Sequence, residues 1–373
     1  MSYKSIVPRT QLQSYTPGVE VSWDLLHDMD ESVVPGSVYI TGEFRFETGA
    51  AVVNGTLEHF VDPHAGIAAF MENVITRCDA FTEVITNYGR LAKHNAMMQY
   101  SEDQLCAGII HSGEMRAPTV KLAGLIVDAC ATSTHASGAA SVAHSFTHKP
   151  LIALNNMSGA LSMAKSGRIQ VSFKCPSVQK CVFGTNAADL ASYAFTNLQL
   201  HYQTTMQPAP QAVTLKITQD TQKLIQSSRT TVMNTFPDMV DKVLVSFADV
   251  ETETELTQNS LVCQFPPISK VNWVYNSVSN GLVSYTLESD EEFVKSGFDV
   301  MEALGAAIDI RDKMAMAALD PVHSVSDKFA LGLNLRSLND FSRSGLGVTV
   351  EMQPGAAPRN YYAFFYAYGS KTI

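Results

Sequence analysis

Three pairs of segments in this chain read alike at long range, and that repeat limits the folds open to it more than any other feature. Lys149–Asn155 (KPLIALN) lies 179 residues before Lys328–Asn334 (KFALGLN). Ser166-Gly167, then Ile169, Val171 and Phe173, precede Ser344-Gly345, then Val348, Val350 and Met352, with the alternating residues again offset by 179. Both copies pass through a Pro-containing turn into an aromatic run, Tyr193-Ala194-Phe195 in one and Tyr362-Ala363-Phe364 in the other. Here the spacing shortens to 169, which requires a loop of different length. Order and alternation agree throughout, so the two halves read as one structural unit used twice.

That unit is all-β. Ser37–Thr48 (SVYITGEFRFET) alternates, which puts Val38, Ile40, Gly42, Phe44 and Phe46 on one side of a strand and Glu43 and Glu47 on the other. Tyr193–Thr204 and Tyr361–Tyr368 are aromatic-rich, as strands favour. Gly, Pro, Asn and Ser recur at short intervals, a pattern of sandwiches or barrels rather than βαβ units. Helical signals are local. Asp62-Pro63 reads as an N-cap ahead of Ile67, Phe70 and Met71, and Ser101–Gln104 fits a capping box. Asp290–Leu319 carries its acidic residues first and Arg311 and Lys313 late, with Gly297 and Gly305 interrupting. The proline-bearing Met206–Gln211 (MQPAPQ) suits a stiff linker. The expected division is an N-terminal arm over 1–20, a first unit over 21–205, a linker over 206–211 and a second unit over 212–373.

With 373 residues, 46% hydrophobic and 17% charged, the chain can fill two cores, and its low charge suggests surface covered by partner subunits. A net charge of −10 repels nucleic acid, and Lys4 and Arg9 are the only basic residues among the first 20, so no genome-packing arm is expected. The segment Met1–Thr10 has no apolar run of a secretory leader, and stretches such as Leu122–Val127 fall far short of the ~20 residues that cross a bilayer; a soluble protein is expected. Cys78, Cys106, Cys130, Cys175, Cys181 and Cys263 form no C-x-x-C and no zinc spacing, and read as reduced thiols. Cys175 and Cys181 could meet across a loop.

No catalytic, cofactor-binding or metal-binding residue is assigned, and no cofactor is expected. The chain has no G-x-S-x-G, G-x-x-x-x-G-K-[ST], G-x-G-x-x-G or H-E-x-x-H. His144 and His148 stand four apart in a polar stretch ending in proline and read as a solvated loop; His135 adds no defined geometry. His64 reads as a helix-opening residue, and His59 and His111 as strand-edge residues. Gly345-Leu-Gly347 reads as a bulge or hairpin. Arg77, Arg90, Lys93 and Arg116 are dispersed and read as inter-subunit salt-bridge residues. Trp23 (VSWDLL) and Trp273 (VNWVYN) read as core.

Several of these segments carry a family resemblance. Phe329-Ala-Leu-Gly-Leu-Asn-Leu, Gly347-Val-Thr-Val and Tyr361-Tyr-Ala-Phe-Phe-Tyr-Ala-Tyr resemble the last strands of the double jelly-roll major capsid proteins of icosahedral DNA viruses. Phe60-Val-Asp-Pro-His-Ala-Gly66 and Thr86-Asn-Tyr-Gly-Arg-Leu91 resemble segments of capsid proteins of small tailless or polinton-like viruses. The resemblance spans most of residues 20–373 as short scattered motifs. It implies two tandem eight-stranded jelly rolls with short helices and long loops, and no enzyme. It further implies homotrimeric, pseudo-hexagonal capsomers tiling a virion. Partners would be further copies, penton and minor capsid proteins and an internal membrane, with no direct nucleic-acid contact and synthesis in the host cytoplasm or nucleus. Loops Ala131–His148 and Asp249–Asn259 become tower candidates, and Met1–Gly18 an arm that could reach a neighbour or a membrane. A penton or minor capsid protein of the same lineage, or a carbohydrate-binding sandwich, remain alternatives.

Overall fold

The computed structural model describes residues 1–26, 28, 30–47, 59–62, 65–99, 119–122, 125–128, 143–184, 192–206, 210–225, 229–233, 240–250, 259–261, 268–275, 278–286, 330–334, 346–352 and 360–373. Its strands, in chain order, are β1 (Ser2–Ile6), β2 (Glu20–Asp24), β3 (Ser32–Val33), β4 (Tyr39–Glu47), β5 (His59–Phe60), β6 (Glu72–Arg77), β7 (Thr82–Ile85), β8 (Thr119–Leu122), β9 (Leu125–Asp128), β10 (His144–His148) and β11 (Leu161–Ser162). They continue as β12 (Gln170–Lys174), β13 (Phe183–Gly184), β14 (Ser192–Thr205), β15 (Thr214–Ile225), β16 (Arg229–Met233), β17 (Val240–Asp249), β18 (Ile268–Tyr275), β19 (Val278–Thr286), β20 (Ala330–Asn334), β21 (Leu346–Met352) and β22 (Tyr361–Thr372).

The pairing repeats. In the first half one sheet runs β10-β4-β14, with β1 on the far side of β14 and the short β3 and β11 attached, and the other runs β2-β12-β6-β7. In the second half the sheets run β20-β17-β22-β15 and β16-β21-β18-β19. Strand for strand the two orders coincide: eight antiparallel strands in two four-stranded sheets, the jelly-roll arrangement, twice in one chain. The repeat read in the sequence is therefore structural. Ile169–Phe173 and Val348–Met352 occupy the equivalent strands β12 and β21, and Tyr193–Phe195 and Tyr362–Phe364 the equivalent strands β14 and β22. The first sequence pair is displaced. Residues 330–334 form β20, whose counterpart is β10, whereas Lys149–Asn155 follows β10 and turns through a 3-10 segment over Ala153–Asn155. Pro150 and the turn at Asn155 prevent ladder pairing there.

The alternation predicted for β4 sets the first core. Val38, Ile40 and Phe44 are fully buried, and Phe44 packs against Phe70, Tyr193 and Phe195 at ring distances of 4.3, 5.8 and 5.4 Å. Trp23 on β2 is buried beside Phe173 of the neighbouring β12. Gly42 on β4 is required by a bulge in β14. Asn197 adopts φ +53° and the register shifts between Thr196 and Gln199, which brings Leu198 to 2.7 Å from where a Cβ on residue 42 would sit. Ser2–Ile6, the start of the expected arm, runs as a strand against β14, and Tyr15 is buried and bridges Phe195.

Two helical features differ from expectation. Asp62 does cap a turn, with its Oδ1 accepting the Ala65 N–H, but the turn is a five-residue 3-10 segment over Gly66–Phe70. A twelve-residue helix, α1 (Tyr88–Gln99), stands where no helix was read. It is buried nearly all round: Tyr88, Leu91, Ala92 and Ala96 form an apolar stripe, and Arg90, Lys93 and His94 are buried beside it, which blurs the amphipathic contrast. Ser101–Gln104 and Asp290–Leu319 lie outside the described residues, as do Cys106, Cys130, Cys263, His64, His111, His135 and Arg116.

Candidate functional site

The chemistry-bearing groups converge on the seam where the first sandwich meets the second. One face of β17 and β22, made by Leu244, Ser246 and Ala248 opposite Tyr366, Phe364 and Tyr362, turns towards the first half. Leu244, Ala248, Phe364 and Tyr366 belong to the same core cluster as Trp23 and Phe44, so the hydrophobic interior is continuous across the two sandwiches. Val243, Val245 and Phe247, paired with Ala367, Phe365 and Ala363, are buried on the opposite face. A sheet covered on both faces reads as an unbroken apolar run, and VLVSFA and YYAFFYA do so.

Helix α1 fills the seam and brings cations into it. The Arg90 guanidinium lies 4.1 Å from the Phe364 ring centroid, and its Nη2 donates to the Ser260 carbonyl at 2.5 Å. Lys93 is fully buried and donates through Nζ to Asp62 Oδ2 at 2.7 Å; Asn259 Nδ2 donates to the same oxygen at 2.8 Å. The His94 ring meets Tyr366 edge-on at 6.2 Å. Burial, followed by the charges of Arg90 and Lys93, pushes the His94 pKa down to about 3, so the ring is neutral at physiological pH. Removing one member of a buried ion pair such as Lys93–Asp62 costs ~3–5 kcal/mol, because the other charge is left stranded. A small cavity of about 40 Å³ beside the helix start is lined by Met71, Asn87, Gly89, Arg90 and Leu261 among others.

A second set of contacts joins two sheet edges. Edge strands present unpaired N–H groups, and here carboxylates take them. Glu83 of β7 is fully buried, its Oε1 accepting the Thr218 N–H of β15 at 2.8 Å and its Oε2 the Ala153 N–H at 2.7 Å. Burial pushes its pKa up to about 8 against the pull of those two donors. Asp220 of β15 reciprocates, accepting from Thr86 N at 2.6 Å, Asn87 N at 2.7 Å and Asn87 Nδ2 at 3.1 Å; burial raises its pKa. Backbone bonds continue the join: Ser158 N to Thr214 O, Lys216 N to Asn156 O, and a bridge between Met157 and Leu215. Lys371 Nζ reaches the Ala80 carbonyl at 2.7 Å, and Lys165 Nζ that of Gln211 at 2.8 Å.

Several residues singled out in the sequence lie elsewhere than expected. Arg90 and Lys93, read as inter-subunit residues, are buried inside one chain. The stretch His144–His148, read as a solvated loop and part of a tower, is strand β10; Phe146 and His148 are buried, and the Tyr88 hydroxyl lies 2.8 Å from His148 Nε2. At the ends of the second tower candidate, Asp249 is buried and Asn259 half-buried in the seam; 251–258 lie outside the described residues. Cys78, Cys175 and Cys181 are free and buried; burial pushes the Cys175 thiol up to about 12 and raises Cys181 well above the ordinary thiol value. Trp23 is core as read, while the Trp273 side chain is outside the described residues. Among the described residues no cluster of His, Cys, Asp and Glu is placed to hold a metal ion, and no helix is long and apolar enough to cross a membrane.

No family model matches the chain, and no curated protein matches it in sequence. Solved structures do match, over nearly its whole length. The Faustovirus major capsid protein superposes with a TM-score of 0.61 at 8% identity, covering 100% of this chain and 90% of that one. A chain of the Sputnik virophage structure gives 0.58 at 9% identity, covering 100% and 86%. The mavirus major capsid protein gives 0.52 at 9% identity, covering 98% and 86%. The fold is the double jelly roll of these capsid proteins. The likeness spans both rolls. At such identities the shared quantity is the backbone, and side-chain roles have to be argued from this chain.

Proposed function

We propose that this chain is the major capsid protein of an icosahedral DNA virus, and that three copies associate so that six jelly rolls form a pseudo-hexagonal capsomer. The observation that carries the reading is the seam. Two rolls of the same strand order are joined by a continuous core and by reciprocal carboxylate contacts, which makes them one block rather than two beads on a linker. A block of two equivalent rolls supplies two sides of a six-sided outline. We place the first roll from β1 to β14, the linker at 206–211 and the second roll from β15 to the end of β22. The role is structural rather than catalytic. Partners are further copies of the chain, penton and minor capsid proteins and an underlying membrane, in a virion built from subunits made in the host cell. With a net charge of −10, genome contact falls to other components.

Two complete eight-strand orders favour this over a penton with a single roll and an appended domain. Burial of Trp23 removes it as a sugar-stacking platform. The test is mass and shape in solution. Light scattering is expected to give three times the 40.6 kDa chain mass, and electron microscopy a hexagonal outline. A chain that stays monomeric at every concentration and forms no shells with its virion partners would overturn the reading.

A further inference from the structure

We propose that Lys93 and Asn259 form an intramolecular isopeptide bond that covalently locks the two jelly rolls together, with Asp62 as the proton shuttle. One carboxylate oxygen of Asp62 gathers both the amine and the amide that such a reaction requires. The nucleophile is Lys93 Nζ, at the end of a side chain with no solvent exposure, held 2.7 Å from Asp62 Oδ2. The leaving group is Asn259 Nδ2, held 2.8 Å from that same oxygen. The carbonyl to be attacked is polarised, because Asn259 Oδ1 accepts the Leu261 N–H at 3.0 Å, which places a backbone donor where negative charge develops. The other Asp62 oxygen accepts the Ala65 N–H at 3.1 Å, which fixes the carboxylate plane. Asp62 is itself 1% exposed, which shields the shuttling carboxylate from bulk water.

The step balances without any oxidant or co-reactant. In a water-poor interior the separated charges of an ion pair are penalised, so the ammonium proton passes to Asp62 and leaves a neutral amine. Its nitrogen attacks Asn259 Cγ, and the oxyanion forms on Oδ1 against the Leu261 N–H. The C–N bond to Nδ2 then breaks as Asp62 returns a proton to the leaving nitrogen, and the amine loses its remaining extra proton to the carboxylate. One C–N bond forms, one breaks, and one ammonia is released. Lys93 sits on α1 of the first roll and Asn259 follows β17 of the second, so the bond closes a long loop across the seam, where a covalent link most constrains the unfolded chain.

Intact-mass measurement on the full chain, denatured after folding, tests this directly. Wild type is expected to be lighter than its sequence by one ammonia and to run faster than Lys93→Met on a denaturing gel. A protease digest should yield a branched peptide joining the Lys93 and Asn259 segments. Lys93→Met and Asp62→Asn are each expected to show the full sequence mass; because the readout on wild type needs no variant, a misfolded variant does not weaken it. Wild type at full sequence mass after prolonged incubation overturns the proposal, as does an ammonia loss mapped to a cyclised Asn259 with Lys93 unmodified. The outcome is independent of the trimer mass, so failure here leaves the capsid reading standing.

Discussion

Glu83 sits between the rolls, and its titration contributes to the pH response of the seam. Two N–H donors favour the carboxylate, but complete burial outweighs them and pushes the pKa from its ordinary 4.5 up to about 8. The folded chain therefore keeps a proton that the unfolded chain releases above pH 4.5. Stability is full below 4.5, falls as pH rises, and levels off beyond about 8. At about 1.4 kcal/mol per pH unit the loss across that window reaches about 5 kcal/mol. That is a large share of the ~5–15 kcal/mol that ordinarily separates folded from unfolded chains. Glu83→Gln does not titrate, and its amide oxygen keeps one of the two N–H bonds while its NH2 group loses the other, a penalty that is the same at every pH. Urea unfolding of both proteins at pH 5, 6, 7, 8 and 9 isolates this group from every other titration. The stability of wild type relative to the variant is expected to fall by about 1.4 kcal/mol per pH unit from pH 5 until it levels off near 8. A difference between the two proteins that stays constant from pH 5 to 9 would refute the reasoning, since Glu83 would then release its proton at the same pH folded and unfolded.

His94 has the opposite sign. Its folded pKa of about 3 lies below the ordinary 6.5, so the unfolded chain takes up a proton that the folded one refuses, and stability falls as pH drops from about 6.5 towards 3. His94→Gln is expected to flatten the acid limb of the pH–stability curve, measured by unfolding between pH 4 and 7; an unchanged limb would count against a neutral buried ring. Gly167 holds φ +62° and ψ −148°, a region close to glycine-only, and a Cβ there would lie 2.0 Å from Asp79 Oδ2. Gly167→Ala is expected to cost ~1–3 kcal/mol from backbone strain alone, read as a lowered thermal midpoint, while Gly18→Ala, with open space around it, should cost less.

What was legible in the sequence was whatever one strand face could record. The alternation in Ser37–Thr48 predicted the buried Val38, Ile40 and Phe44, and the aromatic runs predicted β14 and β22. The two correct repeat pairs fall on strands whose inward residues are apolar. The displaced pair matched a turn to a strand, because β10 (HSFTH) buries a histidine at its inward end and lacks the apolar signature of β20. Helix α1 was hidden for a related reason: Arg90, Lys93 and His94 are buried beside the short apolar stripe of Tyr88, Leu91, Ala92 and Ala96 and blur it.

Local periodicity is a property of neighbours along the chain, so the sequence by itself determined the all-β character and the duplication. The seam belongs to tertiary structure. Glu83 meets the N–H of Thr218, and Asp62 meets Asn259, only after two sheets have closed and docked at one register. A buried charge is tolerable only where its partners are delivered at the same time, and the partners across the seam, Thr218 for Glu83 and Asn259 for Asp62, lie more than a hundred residues away. No segment of the sequence contains both halves of such a contact, so the packing of the two rolls decided which of its ionisable residues would be surface and which would hold the subunit together.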